Sequence, residues 1–175
     1  YRPSEDKYLT FEVERKTIEI PMVTSKMLDN NIGYVAVYEF EETTSEQFNQ
    51  AIDALTAQGM EGLIIDLRDN PGGLVNSATA ILDRILTKDQ LLVYTVDKNG
   101  KKQEEYTEDD ETINVPISVL INGNSASASE IVSGCLQDYG KAKLVGTTSF
   151  GKGIVQYVLP LGDGSAIKLT SAKYY

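Results

Sequence analysis

Two stretches, 62–68 (GLIIDLR) and 117–122 (ISVLIN), are apolar almost without interruption and short for helices. A strand that is apolar on both faces must be covered on both faces, as in a parallel sheet flanked by helices. A third stretch, 32–40 (IGYVAVYEF), has the same character. Between them lie segments with helical spacing. Residues 44–59 put Phe48, Ile52 and Leu55 on one face, with Ser45 placed to cap the helix and Gly59 to end it. Residues 74–86 turn Leu74, Ala78, Ile81, Leu82 and Ile85 inward, and 127–140 form a third helix ended by Gly140. This alternation predicts an α/β fold. Function in such folds gathers in loops at the carboxyl ends of the strands. Two loops qualify: RDNPGG after 62–68 and NGNSA after 117–122.

The remaining text reads as strands. Residues 8–15 (YLTFEVER) alternate apolar and polar, and 16–21 (KTIEIP) form another strand stopped by Pro21. Residues 91–107 read as a hairpin with Asn99-Gly100 at the favoured two-residue turn. Strands at 143–146, 154–161 and 165–175 follow, the last two joined by a GDG turn. There is no internal repeat, and 175 residues suffice for one core.

Composition narrows the chemistry. The formal charge of -10 argues against nucleic acid or anionic membrane as partner, because phosphates would be repelled. Six of the acids crowd into 104–111 (EEYTEDDE), which reads as a solvated segment rather than a metal site. Cys135 is the only cysteine, so no internal disulfide forms. The chain has no histidine, so a zinc site would need carboxylates alone, and Ser-His-Asp or Cys-His machinery is excluded. No apolar run reaches the roughly 18 residues of a membrane span, and no signal peptide is visible at Tyr1.

The densest motif is 122–131 (NGNSASASEI), with serines on alternate positions. It follows a buried strand and opens a helix, where free N–H groups and the helix dipole favour developing negative charge. Ser125, Ser127 and Ser129 can be caps and small packing residues, or one of them can be a nucleophile. Without histidine, a nucleophilic serine needs another base, and a lysine whose ammonium form is disfavoured by burial is one solution. Lys152, between Gly151 and Gly153 and ahead of apolar strand text, is the candidate; the alternative is a surface lysine in a glycine turn. The stretch 146–153 (GTTSFGKG) also fits the first part of a phosphate loop. Such a loop needs Ser or Thr after the lysine and a helix beyond, whereas Gly153 and strand text follow here, so no nucleotide site is expected. In DLRDNPGG, Arg68 and Asp69 can be exposed members of a plain turn, or Gly73 can offer its N–H to a substrate oxygen.

Together, DLRDNPGG, VLINGNSASASEIVSGCLQDYGKAKLVG, TSFGKGIVQ and SAIKLTSAKYY resemble the C-terminal processing peptidases, or tail-specific proteases, in order and spacing over roughly 16–175. The resemblance implies a core of the crotonase and Clp-protease type, a ββα superhelix, here with an added hairpin and terminal strands. It implies Ser127 as nucleophile, Lys152 as general base and Gln156 as the residue that orients the amine. It implies an oxyanion hole from the N–H groups of Gly73 and Ala128, and supporting structural roles for Glu130 and Asp138. Ser127 is then expected in the first turn of the helix after 117–122, within side-chain reach of Lys152. The implied reaction is endopeptidase cleavage near the C-terminus of unfolded or tagged polypeptides through an acyl-enzyme, without metal or other cofactor, in an extracytoplasmic bacterial setting. A PDZ domain normally precedes this core and recruits substrate by strand addition. Here 1–15 resembles only its final strand, and 16–175 is the catalytic core. Two rivals stay open: a non-catalytic peptide- or ligand-binding core of the same fold, and a small-molecule Ser-Lys amidase.

Overall fold

The computed structural model describes residues 1–16, 18, 20–110 and 112–175. Its main sheet has five strands: β1 (Val23–Leu28), β2 (Ile32–Val37), β3 (Gly62–Asp66), β6 (Ile117–Ile121) and β7 (Ala142–Gly146), in the order β1-β2-β3-β6-β7. Only β1 runs antiparallel to its neighbour; β2, β3, β6 and β7 are mutually parallel. Helix α1 (Thr44–Ala57) links β2 to β3, α2 (Val75–Asp83) follows β3, and α3 (Ala128–Asp138) links β6 to β7. A second, antiparallel sheet has the order β5-β4-β9-β8, with β4 (Leu91–Asp97), β5 (Lys102–Tyr106), β8 (Ile154–Pro160) and β9 (Ala166–Tyr174). It meets α2 and α3 through β4.

The α/β alternation expected from the sequence is present, for the expected reason. Val35, Ile65 and Val119 of the central strands and Leu67 just past β3 are fully buried, as are Phe48, Ile52, Leu55, Ile81, Leu82 and Leu136 of the helices and Ile85 just past α2. Side chains of this size contribute about 1.5–3 kcal/mol each on burial.

Several expectations are corrected. Residues 8–15 form no strand: no described segment pairs with them, and Tyr8, Phe11 and Val13 stay exposed. Of the strand expected at 16–21, Thr17 and Glu19 lie outside the described residues, and the others are not in a strand. Strand β1 went unread because it is a polar edge strand with one buried residue, Val23. It turns into β2 through Asn30 and Asn31, both at positive φ, a conformation asparagine tolerates. Helix α1 begins at Thr44, so Ser45 lies inside the first turn; the Thr44 hydroxyl accepts from Glu41 N–H and donates to the Glu39 carbonyl. Leu74 is not inward but exposed, because it precedes α2 in an extended conformation with its N–H on Phe40 O. The β4–β5 turn spans 98–101 rather than two residues. Only Gly100 takes positive φ, and the Asp97 carboxylate accepts the N–H groups of Asn99 and Lys101.

Past β2, Phe40 makes an isolated parallel bridge to Gly73. Gly73 has φ 137, and a Cβ there would be driven into the Phe40 carbonyl. Gly73→Ala is therefore expected to lose roughly 2–4 kcal/mol from steric overlap and backbone strain. Urea unfolding checks this; a midpoint equal to the wild type's would mean that the loop has slack.

Candidate active site

Strands β3 and β6 are parallel neighbours, with Asp66 beside Leu120. The two loops singled out in the sequence therefore leave the sheet side by side, and polar side chains join them. Asp69, at φ 62, accepts the amide N–H groups of Asn122 (3.0 Å) and Asn124 (2.8 Å) on its Oδ1, and donates its own N–H to Asn122 Oδ1 (3.0 Å). These amides hold the Asp69 carboxyl below its ordinary pKa, Asn124 most strongly. Asn70 is fully buried. Its amide donates to Val37 O, its Oδ1 accepts Gly72 N–H, and its carbonyl accepts Ala126 N–H at 3.1 Å. Gly72, at φ 104, lets the two backbones touch: a Cβ there would sit 2.7 Å from Ala126 O and 3.0 Å from Ala128 N.

The three serines separate by environment. Ser125 is buried and donates to Leu67 O at 2.7 Å; Ser129 is buried and donates to Asn70 O at 3.0 Å. Ser127 is half-buried and stands at the N-cap of α3, as expected, with φ 56 and ψ -113. This backbone conformation is sparsely populated for a residue with a side chain and costs about 1–3 kcal/mol. Its carbonyl accepts the N–H groups of Glu130 and Ile131.

Glu130 ties this turn to the lysine loop. Oε2 accepts Ser127 N–H (2.9 Å) and Lys152 N–H (2.8 Å); Oε1 accepts the Ser149 hydroxyl (2.7 Å) and Gly151 N–H (2.6 Å). The backbone nitrogens of Ser127 and Lys152 thus share one oxygen. Burial works to raise the Glu130 pKa, but the Ser149 hydroxyl and the N–H groups of Lys152, Gly151 and Ser127 outweigh it and hold the carboxyl below its ordinary value. In the phosphate-loop-like stretch the Ser149 hydroxyl and the N–H groups of Gly151 and Lys152 are therefore occupied by the chain's own carboxylate. The element that follows is strand β8, not a helix.

Ser127 and Lys152 both line two clefts. One, of about 800 Å³, also includes Gly73 and Gln156. The other, of about 590 Å³, also includes Glu130 and Asp138. Gln156 on β8 donates its amide to Thr170 Oγ1 at 3.3 Å, leaving its carbonyl oxygen to face other donors. Ala128 is fully buried and outside both linings; what it offers is the N–H at the first position of α3. Among the described residues, neither that N–H nor the one of Gly73 meets a protein acceptor. Asp138 is exposed at the end of α3, and its carboxylate accepts no hydrogen bond among the described residues. Cys135 lines the smaller cleft, but burial, helped by Asp138, pushes its pKa to about 12, so it stays a thiol. Among the described residues, no three metal-ligating side chains stand together, and no helix is long and apolar enough to cross a membrane.

Sequence reasoning missed Asn70, Ser149 and the network under Arg68. Arg68 is exposed but not idle: its guanidinium chelates the buried Asp66 carboxylate (2.6 Å at Nη2), which also accepts Tyr34 OH at 2.6 Å. Burial works to raise the Asp66 pKa, and the bonds from Arg68 and Tyr34 bring it below normal. The Asp-x-Arg spacing was the available signal. Nothing local marks Asn70 as the hub of two loops.

Because the Glu130 pKa is depressed in the fold, its stabilisation is complete above the ordinary value of 4.5 and lost as pH falls through the folded value. Glu130→Gln puts an amide N–H against other N–H donors. It is expected to unfold at lower urea than wild type at pH 7, with the gap narrowing below about pH 4. A gap independent of pH would mean that the carboxylate's charge does not carry the tie.

Residues 31–175 match the sequence model of peptidase family S41. The chain is 41% identical over 178 residues to carboxy-terminal processing protease CtpB of Bacillus subtilis (strain 168), covering 99% of this chain and 37% of CtpB. It is 39% identical over 166 residues to CtpA of the same organism, covering 95% of this chain and 36% of CtpA. The solved structure of a photosystem II D1 C-terminal processing protease is similar with a TM-score of 0.79 at 30% identity, covering 92% of this chain and 45% of that one. The chain spans less than half the length of each of these proteins. The breadth of the match makes it a member of peptidase family S41, among the C-terminal processing peptidases.

Proposed function

We propose that this chain is the catalytic core of a serine endopeptidase that cuts polypeptides near their C-termini, with Ser127 as nucleophile and Lys152 as general base. The observation that carries this reading is the shared Glu130 oxygen, which holds the Ser127 turn and the Lys152 loop together at the meeting point of two clefts. The environments of the serines support the choice among them. The hydroxyls of Ser125 and Ser129 are spent on buried carbonyls, whereas Ser127 faces both clefts.

In the first step the Lys152 amine takes the Ser127 hydroxyl proton as Oγ bonds to the scissile carbonyl carbon. The oxyanion forms against the N–H groups of Gly73 and Ala128, beside the positive end of α3. Lys152 then returns the proton to the leaving amine as the C–N bond breaks. Water, deprotonated by the same amine, releases the acyl group as a carboxylic acid and restores the serine. Gln156, its N–H anchored on Thr170, presents its carbonyl oxygen to the lysine and fixes its direction. Glu130 positions both partners through their backbones, and Asp138 lies along the smaller cleft as a supporting residue. On this reading substrates are unfolded or tagged polypeptide ends in an extracytoplasmic setting. Residues 1–15 correspond to the end of a recruiting PDZ domain, although 8–15 form no strand here.

A fluorophosphonate probe is expected to label Ser127 in the 175-residue chain, as mapped by mass spectrometry. Ser127→Ala and Lys152→Arg are each expected to lower labelling by roughly 10⁴-fold or more, the second because guanidinium does not deprotonate in proteins. Full labelling in Lys152→Arg would remove lysine as the base. Ser125→Ala and Ser129→Ala each remove one of two donors to a carbonyl of the β3 loop, since Asn70 N–H still reaches Leu67 O and Ala126 N–H still reaches Asn70 O. They are expected to cost about 0.5–1.5 kcal/mol in urea unfolding while the labelled site stays the same. Labelling abolished by Ser129→Ala but not by Ser127→Ala would mean that the register of the serines is misassigned.

A further inference from the structure

The smaller cleft differs in kind from the larger one. Its floor is a stripe of α3 at helical spacing, Ile131, Gly134, Cys135 and Asp138, which descends from the turn that carries Ser127. Its opposite wall is Leu92, Val93 and Tyr174 of the second sheet. At 1.5 Å per residue, the stripe from Ile131 to Asp138 is about 10 Å long.

Gly134 is the anomaly in that stripe. Glycine inside a helix is unfavourable relative to alanine, because it gives up more backbone freedom on folding. Two structural reasons for keeping one are a left-handed conformation and the close approach of another element. Gly134 has neither: its φ is not among the positive values, and a Cβ built on it meets nothing within 4 Å. Gly72 and Gly73 are the opposite case, each pressed against backbone. What the absent side chain of Gly134 leaves is open space, and that space belongs to the cleft lined by Ser127 and Lys152.

We infer that Gly134 is a specificity-determining residue, setting the depth of an apolar pocket for the side chain of the substrate residue whose carbonyl is attacked. The inference rests on the reading of Ser127 as nucleophile. The acyl-side residue stays bonded through its carbonyl to Ser127 Oγ after the first step. Its side chain is therefore the one held against the serine's own helix. The pocket takes leucine- to phenylalanine-sized apolar side chains; an acidic one would run toward the carboxylate of Asp138 at the far end.

The test uses peptidyl diphenyl phosphonates that differ only in the acyl-side residue, alanine or phenylalanine. Ser127 Oγ bonds to phosphorus as a phenoxide leaves, and the serine proton, taken up by Lys152, ends on phenol. Labelling rates are followed by intact mass and compared as a ratio within each protein, so that a general change in reactivity cancels. Wild type is expected to favour the phenylalanine probe. In Gly134→Leu the phenylalanine-to-alanine ratio is expected to fall by about tenfold or more, the scale on which filling a pocket by a few methylenes discriminates. Gly134→Ala is expected to lie between them, with a Tm no lower than wild type's. A wild-type preference for alanine, or a ratio unchanged in Gly134→Leu while Ser127 is still labelled, would overturn the pocket and leave the nucleophile standing. Failure of the fluorophosphonate to label wild-type Ser127 would overturn the nucleophile and the pocket with it.

Discussion

The parallel pairing of β3 with β6 is the constraint from which the site follows. Each strand ends at the same edge of the sheet, so the chain leaves it twice at neighbouring points. The ladder runs on past the strands through Leu67 N–H to Leu120 O, and the loops then close on each other through Asp69, Asn70, Asn122 and Asn124. Backbone can approach backbone this closely only where side chains are absent, which is why Gly72 stands opposite the serine turn and Gly73 opposite Phe40. Among the described residues, the same geometry leaves two N–H groups, of Gly73 and Ala128, without protein acceptors near Ser127.

The alternation of serines is a division of labour along one strained turn. Ser127 occupies a backbone conformation that is unfavourable by about 1–3 kcal/mol, and such a conformation persists only when its surroundings over-determine it. The hydroxyls two positions before and two after it are fastened to Leu67 O and Asn70 O, both carbonyls of the β3 loop. Ala126 N–H is fastened to Asn70 O as well. The flanking serines thus hold the turn by its two ends, and the middle one is turned outward. At the centre of the turn the fit is tight from the other side: a Cβ on Gly72 would lie within 3.0 Å of Ala126 O, Ser127 Cβ and Ala128 N.

Glu130 shows why a carboxylate, rather than an amide, suits the joint between turn and lysine loop. Its two oxygens face four donors and no acceptor. An ionised carboxylate accepts at every lone pair, and hydrogen bonds to a charged acceptor are stronger than neutral ones. Partial burial would otherwise oppose the charge, so the arrangement stands only while all donors are present. Asp66 obeys the same rule one strand back, where Arg68 and Tyr34 satisfy a buried carboxylate.

The sequence by itself determined the α/β alternation, the three helices and the two loops that matter, because continuous apolar strands and helical spacing encode burial directly. It also excluded histidine-dependent chemistry, since the residue is absent. Local physics pointed to Lys152 and Gly73 and left the three serines equivalent, whereas Ser127, Gln156, Ala128, Glu130 and Asp138 were singled out through a family resemblance. Edge strand β1 and the unpaired segment 8–15 were misread because strand pairing is non-local: a polar strand can gain a partner and an alternating one can lack it. Only the tertiary structure decided which serine hydroxyls are consumed, that Asn70 joins two loops, and that one Glu130 oxygen serves Ser127 and Lys152 together. Those contacts bridge residues as far apart as Asn70 and Ser129, and Glu130 and Lys152, so they exist only once the parallel sheet has set its loops side by side.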